Sequence, residues 1–356
     1  MHSFVYEAQP MRVRFGAGAI DELRDELTAI GATKAVVITT PEQQELGERV
    51  NGLLGPAGLG VYPHATMHVP ASIIDDALAF IRGAGADAVL CAGGGSTTGL
   101  GKALALRSDL PIIAVPTTYA GSEMTPIWGI TDDGVKRTGR DERVLPRSVI
   151  YDPELTVGLP VAISVTSGLN AVAHAVEGLY APDASPIISL MAAEGVDKML
   201  GALPAVVTDP ADLDARADAL YAAWLCGATL GATTMGLHHK LCHILGGSFN
   251  LPHAETHAVV LPYVMAYNLT AAPAAREALQ RATGSSDPGT AVAKLGRDLG
   301  VPASLSELGM PEDGIAEVVR QAVDSPYSNP REVTEADLRG LLTAAYTGDD
   351  PRGDYR

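Results

Sequence analysis

Three largely apolar runs constrain the fold of the N-terminal half more than any other feature: KAVVITT (34–40), ADAVLCAGGG (86–95) and PIIAVPTT (111–118). None alternates apolar with polar residues, so each reads as a strand that must be covered on both faces. MRVRF (11–15) reads as an earlier strand. Between the strands lie stretches with helical spacing: AIDELRDELTAI, PEQQELGERVNGLL, ASIIDDALAFIRGAG and STTGLGKALALRS. Strands alternating with helices predict a doubly wound α/β domain on a parallel sheet.

The pattern changes after DPELTVGLP (152–160). Long Ala-, Leu- and Val-rich segments follow, such as ISVTSGLNAVAHAVEGLYA and DLDARADALYAAWLCGATLGATT, and they read as helices. The expected division is therefore an α/β domain over residues 1–158 and an all-helical domain over residues 159–356. A ligand site is expected in the cleft between them.

Composition removes several function classes. The chain has 356 residues, enough for two cores, and a net charge of −17 from 25 basic and 42 acidic residues. That balance disfavours nucleic acid and anionic membrane surfaces as partners. No apolar run reaches the roughly 18 residues of a membrane span, and the start shows no signal-peptide pattern. Cys91, Cys226 and Cys242 are far apart and fit neither a disulfide framework nor a zinc pattern. A reduced, cytoplasmic chain is the expectation.

Chemistry gathers in a few motifs. In CAGGGSTTGLGK (91–102), Gly93, Gly94 and Gly95 join a buried strand to a helix, followed by the hydroxyls of Ser96, Thr97 and Thr98. Backbone N–H groups at such a turn can cradle a phosphate; a simple tight turn is the plainer alternative. It is not a Walker A loop, because Ser96 and Ala103 stand where Gly and Ser or Thr are required. FGAGAID (15–21) is a weaker half-motif, with Asp21 in place of a third glycine. VPTTYAGSEMT (115–125) puts Thr117, Thr118, Ser122 and Thr125 at the C-terminal end of a strand, where open α/β sheets bind ligands. GVKRTGRDERVLPR (134–147) reads as a basic loop, with Lys136 and Arg137 among the cations available to an anionic ligand.

The helical half carries six of the nine histidines: His174, His238, His239, His243, His253 and His257. In GLNAVAHAVEG, Asn170 and His174 are four apart, on one helix face. The same spacing links His239 to His243 and His253 to His257. Such a cluster can hold a metal or supply protons. An amide at 170, where a carboxylate would be expected, leaves both uses open.

FGAGAIDEL, AGGGSTTGLGKALAL, PTTYAGSEMT, LHHKLCHILGGSFNLPHAETHAVVLPYVMAYN and NPREVT together resemble the iron-containing (group III) alcohol dehydrogenases of the dehydroquinate synthase-like superfamily, over nearly the whole chain. The resemblance implies a Rossmann-like N-terminal domain, a helical C-terminal domain and a homodimer. It implies NADH as cofactor, bound by Gly93, Gly94, Gly95, Ser96, Thr97, Thr117, Thr118 and Ser122. Thr40 stands where the family often has a ribose-binding Asp, so NADPH is also accommodated. The family's metal ligands fall on Asn170, His174, His239 and His253, and its histidine beside the nicotinamide on His243. Asn170 replaces the anionic ligand, which should weaken an Fe²⁺ or Zn²⁺ site. TGRDERVLPRSVIYDPELT, SGLNAVAHAVE and Tyr327 before NPR resemble those members that reduce a conjugated C=C bond in a small dicarboxylate from aromatic breakdown. No required metal is then expected. His243, His253, Tyr327, His174, His239 and Lys136 are the expected catalytic set, with Asn170, Arg137 and Lys240 expected at the substrate. The alternative is a metal-dependent alcohol dehydrogenase in which Asn170 still ligates.

Overall fold

The computed structural model describes residues 4, 6, 8–9, 11–67, 69–132, 135–324 and 327–355, with the backbone alone at Val135 and Lys136. The chain forms two compact units, Glu7–Leu159 and a second from Pro160 onward.

In the first unit the strands are β1 (Arg12–Phe15), β2 (Ala35–Ile38), β3 (Gly58–Tyr62), β4 (Ala88–Gly93), β5 (Ile112–Pro116), β6 (Ile127–Asp132), β7 (Val135–Arg140) and β8 (Ser148–Tyr151). Its helices are α1 (Leu23–Ala29), α2 (Gln44–Leu54), α3 (Ala71–Ala84) and α4 (Gly95–Ser108). Six strands make one parallel sheet in the order β1-β8-β5-β4-β2-β3. Side chains alternate between its two faces. Val36, Ile38, Val89, Cys91 and Ile112 pack with Ile74 and Ala77 of α3 and Leu100 and Leu104 of α4. Ala35, Val37, Leu90, Ile113 and Ile150 pack with Leu23 and Leu27 of α1 and Val50 and Leu54 of α2. Both faces are buried, which is why these strands carry no polar alternation.

The basic stretch read as a loop is not one. Residues 135–140 form β7, paired antiparallel with β6 from Ile127↔Arg140 to Asp132↔Val135. The signal lies in the partner strand: Trp128 packs on Gly139, where a Cβ would stand 2.6 Å from the indole.

The second unit is helical: α5 (Val161–Leu179), α6 (Pro186–Thr208), α7 (Leu213–Ala232), α8 (Leu237–Phe249), α9 (His253–Asn268), α10 (Pro273–Thr283), α11 (Pro288–Asp298), α12 (Gly314–Asp324) and α13 (Glu335–Thr347). Every residue of α5 from Ser164 to Gly178 is buried, as expected of a helix enclosed on all sides. Small residues allow this: a Cβ on Gly168 would lie 2.9 Å from Leu203 and Met199, and one on Gly178 would collide with Thr229. Among the described residues no helix is long and apolar enough to cross a membrane.

Candidate active site

The glycine turn is built from three neighbouring strand ends. β4 closes with Gly93 at φ +153°, a conformation that excludes most side chains. A Cβ there would lie 2.5 Å from Thr97 Oγ1 and 2.6 Å from Gln43 Oε1, and one on Gly94 would lie 3.0 Å from Thr118 Cγ2. Gly94 caps the 14-residue helix α4 without a side-chain bond, so its first-turn N–H groups have no capping side chain. Thr97 Oγ1 is buried with no hydrogen-bond partner. A bare backbone, a helix N-terminus and an orphan hydroxyl fit a dinucleotide's diphosphate.

Gln43 was not singled out in the sequence. Its amide donates to Thr117 Oγ1 at 2.9 Å, joining the turn after β2 to the end of β5. The available signal was its place in the Pro-led turn that follows a buried strand. Lys102 has a supporting job. It is 1% exposed and donates to the carbonyls of Ser122 (2.6 Å), Thr125 (2.7 Å) and Ile127 (2.8 Å) and to Thr125 Oγ1 (2.8 Å). It thereby fixes the loop that carries Thr117, Thr118 and Ser122. Thr40, Ser96, Thr118 and Ser122 are half-buried at the same strand ends.

Of the expected cations, Arg137 is exposed on β7 in the first unit, and Lys240 is half-buried on α8 in the second. The Lys136 side chain lies outside the described residues.

All six clustered histidines come together on α5, α8 and α9. Ring centroids are 5.0 Å apart for His174–His239, 6.1 Å for His239–His243, 4.8 Å for His238–His257, 5.0 Å for His239–His257 and 4.3 Å for His253–His257. The cluster has a buried floor, His174, His238, His239 and His257, and two exposed members, His243 and His253. Burial, then the neighbouring imidazoles, pushes His238 down to about 3 and His257 well below the usual histidine value. The floor is therefore uncharged at these two rings near neutral pH. Tyr327 is half-buried; burial, then the charge of Glu177, pushes its hydroxyl up to about 12, so it remains a donor.

Glu177, at the buried end of the cluster, is a residue that the sequence reading passed over. It sits three residues beyond His174, on the same face of α5. Its carboxylate accepts from the backbone N–H of Gly236 (3.0 Å), His238 (2.8 Å) and His239 (3.3 Å) and from His239 Nδ1 (2.7 Å). Burial alone would raise its pKa, but the His239 bond and the other donors outweigh that and hold it at about 2. His239 Nε2 lies 2.9 Å from His174 Nδ1, and His174 Nε2 lies 3.4 Å from Asn170 Nδ2.

As arranged, the four positions that the sequence resemblance assigns to a metal do not fit one. His239 Nε2 is engaged by His174, the facing atom of Asn170 is its amide nitrogen, and neither position supplies a free anionic donor. Among the described residues, the one trio of potential ligand atoms within 4.8 Å of one another is His238, Cys242 and His257. Its two facing nitrogens are already hydrogen-bonded to each other at 3.0 Å.

Residues 10–153 match the iron-containing alcohol dehydrogenases, and residues 164–346 match the C-terminal part of the Fe-containing alcohol dehydrogenase family. The chain belongs to this family. Within it, the chain is 56% identical to the maleylacetate reductase of Burkholderia cepacia, over 99% of this chain and 100% of that one. The crystal structure of maleylacetate reductase from Agrobacterium tumefaciens superposes with a TM-score of 0.96 at 50% identity, covering 99% of this chain and 100% of the other. A sulfoacetaldehyde reductase from Bifidobacterium kashiwanohense, solved in complex with NAD⁺, superposes with a TM-score of 0.87 at 25% identity, covering 97% and 99%.

Proposed function

We propose that this chain is a maleylacetate reductase: it reduces the C=C bond of maleylacetate to give 3-oxoadipate, with NADH or NADPH as reductant and without a required metal. The observation that carries this reading is Asn170. Its amide stands where a metal-dependent relative would need an anion, while the rest of the histidine cluster is retained. Full-length identity to enzymes of that name supports the same substrate.

The bound nicotinamide would supply hydride to the carbon β to the ketone. The protein's own groups then manage charge and proton. Negative charge develops on the ketone oxygen, and donors aimed at it lower the barrier. His243, His253 and Tyr327 are assigned that role. His243 also delivers the proton to the α-carbon, the general-acid role that imidazole most often takes. His174 and His239 support these groups from below. Arg137, Lys136 and Lys240 are assigned to the two carboxylates of the substrate, against the −17 charge of the chain as a whole.

A homodimer and a cytoplasmic location complete the proposal. The three buried, unpaired cysteines suit a reducing compartment, and sedimentation velocity tests the dimer. The direct functional test is NADH oxidation on adding maleylacetate, with 3-oxoadipate identified by NMR. Absence of NADH consumption at saturating substrate would sink the assignment.

A further inference from the structure

Two asparagines clasp each other at the end of α9. Asn268 Nδ2 donates to Asn329 Oδ1 at 2.8 Å, and Asn329 Nδ2 donates back to Asn268 Oδ1 at 2.8 Å. Asn329 Nδ2 also donates to the carbonyl of Arg331 at 2.8 Å, and Asn268 Nδ2 to the Tyr180 hydroxyl at 3.3 Å. A carbonyl can only accept, so Asn329 must turn its nitrogen toward Arg331. The reciprocal bonds then fix the orientation of Asn268. That residue is fully buried, so water competes little for the pair.

The clasp joins three parts of the helical unit. Tyr180 caps α5, Asn268 is the last residue of α9, and Asn329 lies two residues beyond Tyr327. Neighbouring contacts tie down the same segment. The Tyr267 hydroxyl donates to the Glu332 carbonyl at 2.6 Å, and the Arg331 guanidinium lies 3.9 Å over the Tyr267 ring. The segment also rests on Gly236, the N-cap of α8. A Cβ on Gly236 would lie 2.7 Å from the Ser328 carbonyl oxygen and 3.6 Å from Asn329 Oδ1. Helix α8 carries His243, and Tyr327 packs against the core to which α8 contributes Leu237 and Leu241.

We propose that Asn329 is a positioning residue for the reduction: clasped by Asn268, it holds Tyr327 at a fixed place relative to α8 and His243. The two groups assigned to the enolate oxygen and the proton then meet one substrate together. This inference rests on the role given to Tyr327 under the proposed function.

Asn329→Asp keeps the shape but sets an oxygen against Asn268 Oδ1 and the Arg331 carbonyl. In the full-length protein it should lower kcat with maleylacetate roughly ten- to hundredfold, at unchanged KM for NADH. In a Tyr327→Phe background the same change should lower kcat by less than about twofold, because the position it governs is already empty of its hydroxyl. A protein labelled with 3-fluorotyrosine reports position without turnover. The ¹⁹F resonance that vanishes in Tyr327→Phe should shift or broaden in Asn329→Asp. Losses that multiply in the double variant, or a Tyr327 resonance left unmoved, would overturn the proposal. Should Asn329→Asp fail to fold, Asn329→Ser, which is too short to reach Asn268 but opposes no like atoms, is put through the same three measurements. A Tyr327→Phe protein with normal kcat would overturn the donor role of Tyr327 alone, and the ¹⁹F spectra would still decide whether Asn329 positions that ring.

Discussion

His174 Nδ1 and His239 Nε2 lie 2.9 Å apart, ring to ring, inside the helical unit. Each ring spends on the other an atom it could have offered to a ligand. The buried pair is thus a support, and the proposed proton chemistry is assigned to the exposed rings of His243 and His253 on the same cluster.

Removing His243 should therefore cost rate rather than fold. His243→Gln is expected to lower kcat with maleylacetate by roughly 10²- to 10⁴-fold, the range for loss of a general acid. The thermal midpoint should move by no more than about 2 °C, since an exposed side chain contributes little to stability. Steady-state kinetics and calorimetry on one preparation check both halves. A variant with near-normal kcat would remove His243 from the role of proton donor.

Gly93 tests the cofactor cradle. In Gly93→Ala the new methyl would meet Thr97 Oγ1 at 2.5 Å and Gln43 Oε1 at 2.6 Å, at φ +153°. Strain of about 1–3 kcal/mol is expected. Relieving it would shift the turn whose N–H groups are proposed to hold the diphosphate. NADH affinity, read by fluorescence titration, should fall about tenfold or more. Unchanged binding would mean that the cofactor does not use this turn.

Cofactor choice is open to a single substitution. Thr40, two residues beyond β2, offers no carboxylate. Glu42, two residues on, is held below the usual carboxylate range by its own backbone N–H and by the Thr40 hydroxyl. Thr40→Asp would place a second negative charge where a 2′-phosphate would sit in a dinucleotide fold. The ratio of kcat/KM for NADPH to that for NADH should drop about tenfold. No change in that ratio would place the ribose elsewhere.

Acid stability should trace to Glu26. It is fully buried and accepts from Arg12 (2.8 Å), Arg14 (2.7 Å) and Ser148 (2.8 Å), tying α1 to β1 and β8. Burial would raise its pKa, but the bonds from Arg14, Arg12 and Ser148 outweigh burial and lower it. A carboxyl depressed in the folded state stabilises fully above its unfolded pKa of about 4.3 and loses that contribution as pH falls through the folded value. Glu26→Gln should cost about 1–3 kcal/mol at pH 7. Urea unfolding of both proteins should show the gap narrowing on acidification below about pH 4; a constant gap would assign the acid response to other groups.

Much of this was legible in the residues. The parallel sheet was, because two-sided burial leaves β2, β4 and β5 without polar alternation. The histidine cluster was, because spacing of four places side chains on one helix face. Glu177 was not: an acidic residue on an apolar helix reads as an ordinary solvent contact until α8 is seen to aim its first N–H groups at it. Gln43 and Lys102 escaped for the same reason, since their roles depend on which strand ends are neighbours. β7 was hidden because the apolar residues of the ribbon belong to β6. The Asn170 amide was visible as an oddity, but its partner, His174 Nε2, emerged only from the geometry.

Metal independence is the central claim, and chelation tests it most directly. The protein is dialysed exhaustively against EDTA, its residual Fe and Zn are measured by mass spectrometry, and kcat with NADH and maleylacetate is compared before and after. The expected result is unchanged kcat at a metal content far below one ion per chain, with no gain on adding Fe²⁺ or Zn²⁺. Activity that disappears on chelation and returns with either ion would contradict it.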